Sequence, residues 1–217
     1  MLVDEFDARL AEDVRVSPRY NIAPTQLVPI VLISHGERLI QNANWGLIPS
    51  WAKDRSAAAR LINARSETVA QKPSFRSAIK RRRCIVPTNG YYEWYRPQHG
   101  AKQPFWIHAD DGGVLAMAGV FEFWDDPVTH DEVCSMALLT QDAMPNLAQI
   151  HDRMPMFLER QAYGAWLDPA LTDAAAALAL TQLPALESTP ISTRVNNARN
   201  EGPELLEVVD AEPERLF

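Results

Sequence analysis

A chain of 217 residues, 47% of them apolar, is long enough to bury one sizeable hydrophobic core, although two small domains also fit this length. Its net charge of −7 and its pI near 5.2 argue against an indiscriminate nucleic-acid binder. No apolar run approaches the roughly 18 residues that a membrane-spanning helix needs, and the acidic N-terminus lacks the apolar core of a signal peptide. We therefore expect a cytoplasmic protein with no membrane partner.

Alternation of apolar and polar residues dominates the chain and predicts strands at 27–34, 38–45, 83–87, 90–95, 105–109, 115–123 and 133–140. The first two should form a hairpin that turns at 35–37. Helices are predicted at 3–13, 66–70, 74–80, 159–167 and 171–180. Because no repeat, linker or change of composition marks a boundary, we predict one α+β domain over residues 1–217, dominated by antiparallel strands.

The two cysteines, Cys84 and Cys134, each lie in an apolar stretch, so we predict two buried thiols. The sequence contains no Cys/His cluster typical of metal sites and no Walker, GxGxxG, HExxH or GxSxG motif. We predict neither a metal nor a cofactor. A thiol-protease pair of Cys84 with His151 is a weak alternative, since the start of an apolar strand is a poor place for a reactive thiolate.

Positive charge is concentrated in one segment of this acidic chain. Residues 53–83 contain ten basic and two acidic residues, so this segment carries +8 and the other 186 residues carry −15. Such a segment is typical of a phosphate-backbone contact, and Arg81 and Arg82 would belong to it. A solvated basic helix end would show the same pattern, and charge alone leaves both interpretations open.

Polar and aromatic residues lie beside Gly and Pro in several loop segments, a composition typical of binding surfaces. With their flanks these segments read YNIAPTQ, WGLIPSWAKD, INARSET, RRCIVPTNGYYEW, KQPFWIH, AMAGVFEFW, LLTQDAM, IHDRMP and VNNARNEGPEL. In this order, from Tyr20 to about Leu205, they resemble the SRAP family, the SOS-response-associated peptidases or abasic site processing proteins. The combination of INAR-ET, GYYEW and HDRMP at these spacings is highly specific.

The resemblance implies a compact, mainly β fold with peripheral helices and a positively charged groove for single-stranded DNA. It also implies a monomer that reacts with abasic sites, acts as a lyase on them and processes its own N-terminus as a peptidase. Family members expose an N-terminal cysteine, whose α-amine condenses with the aldehyde of an abasic site while its thiol closes a thiazolidine ring. The α-amine suits this role because its unperturbed pKa, roughly 7.7–8.0, leaves part of it neutral.

This chain departs from the family at its start. The family begins Met-Cys-Gly-Arg, whereas here residue 2 is leucine and no cysteine precedes Cys84. We expect the true start, with the family's first strand, to lie upstream. The alternative is a paralogue that has lost the nucleophile and shields single-stranded DNA without a covalent bond. Replication-fork proteins are further candidate partners.

Three residues match the family's catalytic positions. Asn63 would hold the N-terminal amine and the abasic sugar, or else cap a following helix. Glu93, inside the aromatic run NGYYEWY, would be a desolvated acid/base that promotes Schiff-base formation, or else a carboxylate on the solvent face of a strand. His151 would assist ring opening and elimination, and Asp152 would orient His151 or pair with Arg153.

Further residues are predicted to contact DNA. Arg65 would bind a phosphate, or else pair with an acid such as Glu67. Trp51 would stack on an unpaired base, and Trp45 would join it unless it is buried in the core. The predicted DNA-binding residues are Asn21, Trp45, Pro49, Trp51, Arg65, Arg81 and Arg82.

Overall fold

The computed structural model describes residues 2–12 and 14–210. Four short α-helices accompany the strands: α1 Leu2–Phe6, α2 Ala78–Arg81, α3 Tyr163–Leu167 and α4 Ala174–Leu178. The strands are β1 Arg9–Leu10, β2 Leu27–Ser34, β3 Glu37–Trp45, β4 Asn63–Arg65, β5 Arg83–Thr88, β6 Gly90–Tyr95, β7 Gln103–Ala109, β8 Leu115–Asp125, β9 Glu132–Asp142, β10 Arg153–Pro155 and β11 Leu186–Pro190. The predicted α+β class with mainly antiparallel strands is confirmed.

Five of the strands close on themselves in the order β3-β2-β5-β8-β9, because β9 also pairs with β3. The closing pairs are Asn44 with Ser135 and Trp45 with Met136, and they are parallel, whereas the other four junctions are antiparallel. Closure removes the open edges that a five-stranded sheet would otherwise present. A separate antiparallel sheet has the order β11-β7-β6.

Two hydrophobic clusters lie on opposite faces of the closed sheet. Along β2 the side chain of Val31 belongs to one cluster, and its neighbours Ile30 and Leu32 belong to the other, as strand alternation requires. The first cluster is covered by the helices, with Phe6 stacked on Tyr163 at 5.1 Å between ring centroids. The second is covered by the three-stranded sheet.

The hairpin between β2 and β3 confirms the predicted turn. His35 and Gly36 both have positive φ angles, 51° and 83°, as a tight two-residue hairpin turn requires. The other predicted strands also form, each with ends within two residues of those predicted. The short strands β1, β4, β10 and β11 were not predicted, since two to five residues carry too little alternation to be recognised.

The predicted helices are all longer than the observed ones. The helix at 3–13 is wrong beyond Phe6, because Asp7 adopts a left-handed φ of 46° and the chain continues into β1; residue 13 lies outside the described residues. Residues 66–70 form turns, 74–77 form turns before α2, and 171–173 precede α4. At 159–167 a short 3-10 turn leads into α3. Within the described part of the chain, no helix combines the length and hydropathy needed to cross a membrane.

Candidate functional site

Strand β9 brings the INARSET and HDRMP segments together. Its residue Thr140 pairs with Arg65 of β4 on one side and with Pro155 of β10 on the other. Residues paired across a sheet share a face, and residues two apart on a strand do too, so Asn63 and Arg65 project from the same face as Thr140. Both side chains are exposed, and the Asn63 amide hydrogen-bonds to none of the described residues. The helix-capping interpretation of Asn63 is wrong, because no helix follows it.

Glu93 faces the interior between the two sheets. On β6 it alternates with Tyr92 and Trp94 and therefore shares its face with Tyr91 and Tyr95, both of which pack on the second hydrophobic cluster. Burial raises the pKa of Glu93 above its ordinary value of 4.5; nearby Asp152 raises it further, while His151, the Trp94 main-chain N–H and Arg96 act in the opposite direction. The desolvated carboxylate expected from the sequence is therefore present.

His151 lies beside this carboxylate. Its electrostatic interaction with Glu93 lowers the pKa of the Glu93 carboxyl, and the His151 side chain is half-buried. Nδ1 lies 3.0 Å from both the main-chain N and the main-chain O of Arg153, and 3.4 Å from Asp152 Oδ1. Nε2 makes no hydrogen bond to the described residues and is available to a substrate. An acid with a raised pKa beside an imidazole can move protons near neutral pH.

An ion pair between Arg153 and Glu67 links the HDRMP segment to the INARSET segment. The sequence did not predict this ion pair. Arg153 Nη1 and Nη2 donate to the two Glu67 carboxylate oxygens at 2.7 and 3.0 Å, and Nη1 also contacts Asp142 Oδ1 at 2.5 Å. Glu67 therefore pairs with Arg153 and not with Arg65, and Asp152 does not pair with Arg153. The only sequence signal for this pair is that the INARSET motif contains an acidic residue and the HDRMP motif a basic one.

The tryptophan surface is smaller than predicted. Trp51 is 67% exposed and remains a candidate to stack on a base. Pro49 is buried, so its proposed contact with DNA is not supported by its position. Trp45 is half-buried, and its Nε1 donates to the Ile62 main-chain O at 3.0 Å, which anchors the strand that leads into Asn63.

The run of arginines at 81–83 divides into three environments. Arg81 is exposed at the end of α2. Arg82 donates to Glu122 Oε2 at 2.7 Å, in an ion pair that is mostly shielded from water, and this pairing argues against its predicted role on DNA. Arg83 is buried, so the +8 counted for residues 53–83 is not all surface charge. The exposed basic residues of the segment are Lys53, Arg55, Arg60, Arg65, Lys72, Arg76, Lys80 and Arg81, of which Arg55 pairs with Asp126.

Asn21 has a structural role, contrary to the DNA contact predicted for it. It is buried, and its Nδ2 lies 3.1–3.2 Å from the main-chain oxygens of Val195, Asn197 and Asn200. Next to it, the Tyr92 hydroxyl donates to the Tyr20 main-chain O at 2.6 Å. The YNIAP segment thus holds the late VNNARN loop against the second sheet.

The cysteines are unreactive in this fold. Burial raises the pKa of Cys84 well above its ordinary value, and burial raises that of Cys134 to about 12. Thiolates are the nucleophilic form, so a thiol-protease pair of Cys84 and His151 is not supported. Among the described residues, no three His, Cys, Asp or Glu side chains are grouped so that they could hold a metal ion.

Comparison with known proteins identifies the family of this chain. The sequence profile described as SOS response associated peptidase (SRAP) matches residues 1–198. The chain belongs to the SRAP family.

Named relatives in the SRAP family are abasic site processing proteins. The chain is 35% identical over 193 residues to YoqW of Bacillus subtilis, covering 88% of this chain and 86% of that protein. It is 32% identical over 233 residues to HMCES of Pongo abelii, covering 89% of this chain and 66% of that protein. A solved structure from Bacteroides thetaiotaomicron superposes with a TM-score of 0.76 at 28% identity, covering 85% of this chain and 82% of that one.

Proposed function

We propose that this protein binds single-stranded DNA at abasic sites and processes them with Glu93 and His151 as the proton-transfer pair. The observation that carries the proposal is the desolvated Glu93 carboxylate beside His151. The chain also exposes most of the basic residues of segment 53–81, which could contact phosphates. The named abasic site processing relatives support the same substrate. Asn63 and Arg65 would bind the abasic sugar and a flanking phosphate, since both are exposed on one face of β4.

The chemistry of an abasic site explains the need for such a pair. The lesion exists mainly as a closed sugar, so a base must remove the proton of the ring hydroxyl before the aldehyde is free. An amine then adds to the aldehyde, and the adduct loses one water when an acid protonates the departing hydroxyl. A carboxyl group with a raised pKa is a suitable proton donor for this step, and His151 Nε2 is a suitable base for the first.

Covalent capture needs a nucleophile, and residues 1–83 contain no cysteine that could serve as one. The first cysteine, Cys84, is buried and cannot meet a DNA aldehyde. The exposed basic residues of segment 53–81 and the 67% exposed Trp51 favour a second candidate function, in which the chain binds and shields single-stranded DNA without a covalent bond. Both functions use the same basic surface and Trp51.

A paired experiment separates the two functions. The chain as it stands and a variant extended by a terminal Met-Cys-Gly-Arg segment are incubated with a single-stranded oligonucleotide that contains one abasic site. Covalent processing predicts an adduct that survives denaturing electrophoresis with the extended variant, lost when Glu93→Gln or Asn63→Ala is added. Non-covalent shielding predicts no adduct but binding that weakens steeply as salt rises. Absence of both adduct and low-salt binding would refute the proposal.

A further inference from the structure

The main chain of Arg153 holds the His151 ring. Ala143 N–H donates to Asp152 O at 2.9 Å across the junction of β9 and β10. Because main-chain groups of successive residues in a strand point to opposite sides, the N–H and C=O of Arg153 point away from β9. Both lie 3.0 Å from His151 Nδ1, one as a donor and one as an acceptor.

This arrangement gives Nδ1 a partner in either protonation state. An unprotonated Nδ1 accepts from the Arg153 N–H, and a protonated Nδ1 donates to the Arg153 C=O. The ring therefore has no need to turn when the imidazole gains or loses a proton. Its orientation, and with it the direction of Nε2, depends on how firmly Arg153 itself is held.

The two terminal nitrogens of the Arg153 guanidinium make four hydrogen bonds to three partners. Glu67 accepts from both terminal nitrogens, Asp142 accepts from Nη1, and the Thr140 main-chain O accepts from Nη2 at 2.8 Å. The Arg153 side chain is only 16% exposed, Glu67 is half-exposed at 49%, and Asp142 is 89% exposed. Two parallel bonds fix the plane of a guanidinium, whereas a single contact to an exposed carboxylate leaves it free to rotate.

We propose that Glu67 is a positioning residue for His151, acting through its two-point contact with Arg153. By locking the Arg153 side chain, Glu67 holds the main-chain groups that orient the imidazole. It also ties the strand that carries Asn63 and Arg65 to the segment that carries His151. The consequence for catalysis rests on the function proposed above; the consequence for the ring does not.

The ring is tested without DNA, by nitrogen-15 NMR of labelled histidine in the full chain. The wild-type protein should give one sharp set of ring signals for His151. Glu67→Ala should broaden or split that set, and Glu67→Gln, which keeps one acceptor for Arg153, should largely restore it. Asp142→Ala is the matched control, since it removes a contact to the same Arg153 nitrogen, and it should leave the His151 signals unchanged.

The catalytic consequence is measured on abasic single-stranded DNA at saturating protein. Glu67→Ala should slow the reaction by about 10- to 100-fold, the usual effect of displacing a catalytic group slightly, while binding of undamaged DNA is not weakened. If Glu67→Ala fails to fold, Glu67→Met, which also removes both acceptors but keeps most of the side-chain volume, provides the same comparison. Unchanged His151 signals in the variant that lacks both acceptors would overturn the positioning role, whatever the activity. Perturbed signals in a protein that never reacts with abasic DNA would leave that role standing and refute the proton-transfer chemistry proposed for Glu93 and His151.

Discussion

Replacement of Arg83 by methionine tests whether its charge serves the fold or the DNA surface. Arg83 Nε donates to the Trp166 main-chain O at 2.6 Å, Nη1 to Ile79 O at 2.8 Å and Nη2 to Asp168 O at 2.5 Å. Its guanidinium also lies over the Trp166 ring, with the central carbon 5.7 Å from the ring centroid. The side chain thereby joins α3 and the segment after it to α2 and β5.

The size of the effect follows from these contacts. Burial lowers the pKa of Arg83, but a guanidinium remains charged at neutral pH. A hydrogen bond to a charged group contributes about 1.5–3 kcal/mol, and the methionine variant leaves three carbonyls without this donor. Methionine fills much of the volume and removes the cost of burying a charge, which offsets part of the loss. We expect the free energy of unfolding to fall by about 3–5 kcal/mol, which is less than the sum for three unsatisfied carbonyls because of this offset.

Thermal and urea unfolding of the variant provide the assay. For a chain of this size a loss of 3–5 kcal/mol lowers Tm by roughly 6–20 °C. Arg81→Met is the matched control, because Arg81 is exposed two residues away, and it should change stability by less than about 0.5 kcal/mol. If Arg81 contacts a phosphate, Arg81→Met should also weaken the salt dependence of binding: the slope of log binding constant against log salt concentration for single-stranded DNA should fall in magnitude by about 0.7. An Arg83→Met protein as stable as wild type, but with weakened DNA binding, would refute this division of roles.

Three further outcomes are expected. Trp51→Ala should weaken single-stranded DNA binding by about 1–3 kcal/mol, measured by fluorescence anisotropy, with Tm unchanged because the side chain is 67% exposed; unaltered affinity would exclude stacking at this position. Glu93→Gln should abolish processing. It should also gain stability relative to wild type as pH rises: because burial raises the pKa of Glu93, the protonated carboxyl stabilises the wild-type fold fully below pH 4.5, and this stabilisation is lost as pH rises through the raised pKa. Urea titrations at pH 4 and pH 7 should therefore show a larger difference in the free energy of unfolding between variant and wild type at pH 7. Tyr91→Phe should leave the free energy of unfolding unchanged or raise it by up to about 1–3 kcal/mol, because the buried Tyr91 hydroxyl has no hydrogen-bond partner among the described residues; a clear loss in chemical denaturation would reveal a partner.

Much of the fold was predictable because alternation is a local signal. The seven strands that were predicted are six or more residues long, and their polar and apolar residues report directly which face is buried, whereas the five-residue β11 of the second sheet was not predicted. The helices were overestimated because several are single turns with few local determinants, and Asp7 interrupts the first of them. The closure of β9 onto β3 could not be predicted, since parallel pairing between residues about 90 positions apart leaves no local pattern.

The sequence nominates candidate site residues, but it does not show their contacts. The motifs identified Asn63, Glu93 and His151, and alternation within NGYYEWY allowed a desolvated Glu93. Asn21 and Pro49 were misassigned to the DNA surface because a motif shows that a residue matters without showing whether it faces solvent.

The sequence by itself determined the family, the α+β class, most strand positions and the candidate catalytic residues, all of which depend on residue type and spacing. Only the tertiary structure decided which of several residues of the same type are exposed, ion-paired or buried. Arg81, Arg82 and Arg83 are chemically identical and adjacent, yet one is exposed, one is paired and one is buried. The bond from Arg153 to Glu67 likewise joins residues 86 positions apart. Burial and ion pairing depend on which distant segments meet, and the hydrophobic packing of the whole chain determines that.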